Sequence, residues 1–133
     1  MYALKSVVVI VVGASPILSS LVVMSNLSVL AQEATLSLVK DVTIPANAAT
    51  MGDKAYSPNP VEVKVGGGVT WANDDSQIHT ATSGSAGSAY SGSVFDSGIL
   101  SPGATFDIVF DTAGTYDYYC TMHPQMVGTV NVS

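Results

Sequence analysis

The run Cys120-Thr121-Met122-His123-Pro124-Gln125-Met126 constrains the fold of this chain more than any other stretch. It places a thiol, an imidazole and a thioether within seven residues, spaced Cys-x2-His-x2-Met. Strand-like runs flank it, Tyr116-Asp117-Tyr118-Tyr119-Cys120 before and Gly128-Thr129-Val130-Asn131-Val132 after. A tight loop between two strands curls three side chains over one point, and Pro124 with the bulk of Met122 stiffens it. The fold must therefore deliver whatever completes this constellation to the same end of the molecule.

The completing residue is His79. The chain has one cysteine, Cys120, and two histidines, His79 and His123. Soft sulfur favours Cu(I), and imidazole suits Cu(II). Two imidazoles and a thiolate in one plane, with a weak, distant thioether, are acceptable to both oxidation states. Little then has to move when an electron arrives. Singly, each residue has a plainer reading: a buried cysteine as a small hydrophobe, a histidine as a hydrogen-bonded structural residue, a methionine as core filler. Their joint spacing between two strand-like runs, with the other histidine upstream, favours a mononuclear copper site with one ion per chain.

The rest of the chain reads as short strands and turns. Glu62-Val63-Lys64-Val65 and Phe106-Asp107-Ile108-Val109-Phe110 alternate polar and apolar residues, the mark of a strand with one buried face. Gly66-Gly67-Gly68 reads as a turn into a strand at Val69-Thr70-Trp71-Ala72-Asn73, and Ala113-Gly114 as a turn before Tyr116. Pro58 and Pro60 delimit a strand start. Residues 45–54 read as a loop with a short helical turn. Residues 83–93, nearly all Ser, Gly and Ala around Tyr90, read as a flexible surface loop. No stretch after Ala34 has a helical period. Many short strands with Gly and Pro turns predict an all-β sandwich or barrel.

Charge narrows the partners. Four lysines and no arginine stand against ten acidic residues. Phosphate binding needs clustered cations, so nucleic acid is not expected as a partner. A surface this acidic is steered towards a basic docking face. The N-terminus speaks to compartment. One positive charge, Lys5, precedes an uncharged run that ends at Glu33, and Val29-Leu30-Ala31 fits a small-residue cleavage site. Residues 1–31 therefore read as a secretory signal, with Gly13, Pro16 and five serines from Ser15 to Ser28 arguing against a stable spanning helix. The other reading is an uncleaved membrane anchor, since the run is long enough to span a bilayer. Either way residues 32–133 form one domain outside the cytoplasm, whether periplasmic, secreted or on the outer face of the cell membrane.

Residues 116–132, YDYYCTMHPQMVGTVNV, resemble the C-terminal ligand loop of cupredoxins of the plastocyanin and amicyanin type. The short gap before Met126 is most similar to amicyanin. Residues 57–80, SPNPVEVKVGGGVTWANDDSQIHT, resemble the strand-turn-strand and first-histidine region of the same family. The resemblance implies a Greek-key β-sandwich with one copper near one end. It implies His79, Cys120 and His123 as equatorial ligands and Met126 as the axial one. It implies a one-electron carrier that exchanges electrons with redox proteins through the His123 edge, inside an apolar patch that includes Met122, Pro124 and Val127. Tyr118 and Tyr119, next to Cys120, read as ordinary strand aromatics rather than a second electron route. Two positions depart from the pattern. Thr80 stands where the family commonly has an asparagine that ties the two ligand loops, and its hydroxyl is a candidate substitute. Met122 stands where proline is frequent, and reads as a surface apolar residue.

Enzyme readings fail on residue counts. A multicopper oxidase needs histidine on both sides of the cysteine, and Tyr119 and Thr121 stand there. A binuclear copper centre needs two cysteines. A Cys-His protease lacks an orienting partner and an oxyanion hole in the sequence. A catalytic zinc site would leave Met126 without a purpose. The chain is therefore not expected to be an enzyme. The remaining alternative is an extracytoplasmic copper-binding or delivery protein with no electron-transfer role.

Overall fold

Seven strands form two sheets in the computed structural model, which describes residues 38–133. The strands are β1 (Val39–Ile44), β2 (Val61–Val63), β3 (Gly67–Asn73), β4 (Thr82–Ser83), β5 (Thr105–Phe110), β6 (Gly114–Tyr119) and β7 (Val127–Val132). One sheet has the order β1-β3-β5, the other β2-β7-β6-β4. β1 runs parallel to β3 and β2 parallel to β7, while β3–β5, β4–β6 and β6–β7 are antiparallel. This is the expected all-β, cupredoxin-like sandwich. The segment read as a signal or anchor, residues 1–31, lies outside the described residues.

Period-two alternation sends one face of each sheet inward. Val42, Ile44, Val69, Trp71 and Phe110 from the first sheet meet Val61, Val63, Tyr118, Val130 and Val132 from the second, all buried. Each such side chain contributes about 1.5–3 kcal/mol on leaving water. Trp71 is the centre. Its ring lies 5.3 Å from Phe95, 5.7 Å from Phe106 and 5.3 Å from Tyr118, and Tyr56 meets Tyr118 edge-on at 4.7 Å. Tyr118 finds room because Gly128 faces it across the β6–β7 pair; a Cβ there would lie 2.4 Å from the Tyr118 ring.

The structure departs from the sequence reading at three places. β1 is a strand that alternation did not reveal, because Leu38 and Val39 are adjacent exposed apolar residues at its start. Gly67 and Gly68 belong to β3 rather than to a turn. A Cβ on Gly67 would meet the backbone oxygens of Leu38 and Lys64 at 2.8 Å, so close chain approach, not turning, requires glycine there. Ser83 begins no loose loop. It is a buried residue of β4, and its Oγ accepts from the amides of Val94 and Phe95. The helical turn expected in residues 45–54 is present as two 3-10 turns, Ala48–Thr50 and Gly52–Lys54.

Candidate metal centre

β6 and β7 pair directly, Tyr119 opposite Val127, so residues 120–126 are a hairpin connection at one pole of the sandwich. The loop is closed by its own backbone. The Cys120 amide donates to the Met126 carbonyl at 3.1 Å, His123 to Cys120 at 3.2 Å, and Met126 to His123 at 2.8 Å. Two back-to-back turns thus aim the Cys120 and His123 side chains at one point, with Met126 fully buried at the loop's end. Gln125 Nε2 donates to the Ala49 carbonyl at 2.7 Å and ties the loop to the 3-10 turns.

His79 arrives from the connection between β3 and β4. Its backbone exchanges two hydrogen bonds with Leu100, at 3.1 and 2.8 Å, which fixes its height against the β4–β5 connection. The preceding residues are stitched as well. Asn73 Nδ2 donates to the carbonyls of Gln77 and Leu100, both at 2.8 Å, and Asn73 Oδ1 accepts from the Asp75 amide at 3.0 Å.

His79 Nδ1 lies 3.9 Å from Cys120 Sγ, and His123 Nδ1 lies 3.7 Å from the same sulfur. One donor atom from each of the three residues falls within 4.8 Å of the others. A metal holding a thiolate at about 2.3 Å and an imidazole at about 2.05 Å separates the two donors by about 3.6 Å at a tetrahedral angle and about 3.8 Å at a trigonal one. The observed separations match a single ion and lean to the trigonal side. His79 and Cys120 are fully buried, whereas His123 is half-buried. The donor chemistry, one thiolate and two imidazoles in a pocket shut on the protein side, fits copper.

Two contacts around this triangle were not read from sequence, and a third, at Thr80, is the hydroxyl brace expected there. His79 Nε2 meets Asp75 Oδ2 at 2.9 Å, a buried pair. The carboxylate accepts the Nε2 proton, which leaves the Nδ1 lone pair facing Cys120. The His79 hydrogen bond, with the amides of Asn47 and Ser76, holds the Asp75 carboxyl down to about 2. Asp75 lies four residues before His79, the signal that would have revealed it. Next, the Thr80 amide points at Cys120 Sγ at 3.4 Å, and Thr80 Oγ1 accepts from the Thr121 amide at 2.9 Å. Thr80 therefore braces the two ligand loops with its hydroxyl. Finally, the Tyr56 hydroxyl donates to the Thr80 carbonyl from the core side. Burial, then the neighbouring Cys120 and Tyr118, push that phenol well above the ordinary tyrosine range.

The rim about His123 is apolar. Met122 and Val127 are 37% and 41% exposed and Pro124 is exposed, while Ile78, next to His79 in sequence, is exposed as well. Tyr118 is a core aromatic, and Tyr119 packs at the sheet with its hydroxyl 2.7 Å from Ser91 Oγ.

The chain is similar to known proteins. The family described as "Copper binding proteins, plastocyanin/azurin family" matches residues 43–133. Amicyanin of Paracoccus denitrificans is 33% identical over 74% of this chain and 84% of its own length. Plastocyanin of Scenedesmus fuscus is 34% identical over 69% of this chain and 99% of its own. Among solved structures, a purple cupredoxin from Nitrosopumilus maritimus superposes with a TM-score of 0.63 at 38% identity, covering 70% of this chain and 98% of that one.

Proposed function

Because the chain belongs to the plastocyanin/azurin family of copper-binding proteins, we propose that it is a one-electron carrier, not an enzyme, with His79, Cys120 and His123 as equatorial copper ligands and Met126 as the axial one. The observation that carries this reading is the triangle of Nδ1, Sγ and Nδ1 atoms, drawn from two loops that the fold brings together at one pole. When bound, copper supplies the Cu(I)/Cu(II) couple. The protein supplies everything that makes the couple fast.

Asp75 keeps His79 in one tautomer and one orientation. The turns of residues 120–126 hold the backbone of Cys120 and His123 at fixed separation. Burial of Cys120, His79 and Met126 keeps water from the core side. The half-buried His123 edge, within its apolar rim, is the port through which electrons pass. Redox proteins that present an apolar patch beside basic residues are the fitting partners, given the acidic surface. The domain comprises residues 32–133 and works outside the cytoplasm, with residues 1–31 as a cleaved signal or a membrane anchor.

A copper-loaded sample should show an intense visible thiolate-to-copper charge-transfer band and a matching copper EPR signal. Cys120→Ser should abolish that band, and colour retained in this variant would sink the assignment. Met126→Gln should keep copper bound and lower the reduction potential, since the axial donor tunes it; an unchanged potential would remove Met126 from the ligand set. A colourless protein that binds Cu(I) would instead support copper delivery.

A further inference from the structure

Thr80 is one link of a longer chain of hydroxyls. Its Oγ1 lies 3.0 Å from Thr82 Oγ1, and Thr82 Oγ1 lies 3.1 Å from Asp96 Oδ1. Thr80 and Thr82 are buried, Asp96 is exposed, and an isolated β-bridge pairs Thr82 with Asp96. The same Asp96 oxygen accepts from the Gly98 amide at 2.9 Å, which fixes the carboxylate.

Proton counting sets the direction of this chain. The Thr121 amide only donates, and the Asp96 carboxylate only accepts. Each threonine hydroxyl between them has one proton. All links are satisfied together only when Thr121 N–H donates to Thr80, Thr80 donates to Thr82, and Thr82 donates to Asp96. The competing contact, Thr80 Oγ1 to Thr121 Oγ1, is longer at 3.4 Å. Hydrogen bonds aligned in one direction polarise and strengthen one another. The carboxylate end therefore makes Thr80 Oγ1 a better acceptor for the Thr121 amide, the residue directly after Cys120. It also fixes the Thr80 backbone, whose amide points at Cys120 Sγ.

We propose that Asp96 is a positioning residue of the copper site, acting through Thr82 and Thr80 on the backbone around Cys120. The proposal rests on Cys120 as the copper ligand. Its consequence is electronic. A hydrogen bond to the ligating sulfur weakens thiolate donation and favours Cu(I), so hydrogen bonding around the sulfur tunes the potential. Loosening the relay should lower the reduction potential. Loss of a nearby negative charge, acting through space alone, should raise it. The two effects have opposite signs at Asp96.

The test uses the full chain and the variants Asp96→Ala, Thr82→Val and Thr80→Ser. In the copper-free protein, exchange of the Thr121 amide should quicken by about two- to tenfold in Asp96→Ala and Thr82→Val, the loss expected for one weakened hydrogen bond. Thr80→Ser, which keeps the hydroxyl, should exchange like the parent. The double variant Asp96→Ala/Thr82→Val should match Thr82→Val alone, because the relay is already cut. In the copper-loaded protein the potential of Asp96→Ala should fall. Unchanged Thr121 exchange, additive effects in the double variant, or a potential that rises or stays fixed would overturn the proposal. A parent chain that takes no colour overturns the ligand assignment instead, and the copper-free exchange still decides the relay.

Discussion

The two histidine-bearing loops solve the same problem in different ways. The loop of His79 is held by side chains at its own base and by a neighbouring segment. Asn73, Leu100 and Asp75 fix its backbone and its imidazole, and the ring is fully buried. The loop of His123 is shaped by its own backbone turns between Cys120, His123 and Met126, is tied to Ala49 and Thr80 through Gln125 and Thr121, and its imidazole reaches the surface. Among the described residues, His123 Nε2 has no hydrogen-bond partner, whereas His79 Nε2 has a carboxylate. In the proposed carrier, His79 is a fixed back wall that sets the geometry. His123 is then a door frame, positioned yet open, through which charge would cross. A carrier needs both, because rigidity keeps reorganisation small and exposure lets a partner approach.

The sharpest way to break this contrast is to remove each imidazole. His123→Gly leaves a gap that opens to solvent, so added free imidazole should restore the visible band. His79→Gly leaves a buried gap beside Asp75 and should lose the band with no rescue. Equal rescue of both, read by absorbance against imidazole concentration, would dissolve the distinction. Next in size, Asp75→Asn removes the charged partner of His79. Copper affinity should fall by about 10- to 100-fold, as for other partners of metal-bound histidines. Competition against a chelator measures it, and no change would mean that His79 is held by packing alone.

Asp75 also carries a pH signature. Its carboxyl is held at about 2, below the ordinary 3.8. A depressed carboxylate stabilises the fold above the unfolded value and loses that contribution as pH falls through the folded one. In the copper-free protein, the stability gap between the parent and Asp75→Asn should therefore close between about pH 4 and pH 2. The smallest expected effect is at the door. Met122→Ala should leave colour and potential unchanged and slow electron self-exchange by less than about fivefold, a rim contact's share. A changed spectrum would move Met122 from the surface into the site.

Much of this architecture was legible from residue order. β3, β5, β6 and β7 show alternation or apolar bias, and Cys120, His123 and Met126 are close in sequence, so their convergence follows from one loop. The unread parts depend on distant pairings. β1 gains its place through parallel pairing with β3 and a bridge between Thr43 and Ser57. Gly67 is explained by two backbone oxygens from other segments. The Thr80 brace was expected from the resemblance, but its partner Thr121 lies forty-one positions away and no local pattern names it. Asp75 is the exception, local enough to be found and hidden only because a loop carboxylate looks like a solvated one.

The register of the strands has a practical corollary for handling the molecule. The Gly68 amide donates to the Leu38 carbonyl, and Ser133 pairs with Val63 and Val65, so both ends of the described residues meet at the pole opposite His79 and Cys120. β7 alone spans six residues between the poles, about 20 Å. An attachment joined at Leu38 or at Ser133 therefore starts from the base of the sandwich, and the pole of His79 and Cys120 points away from it.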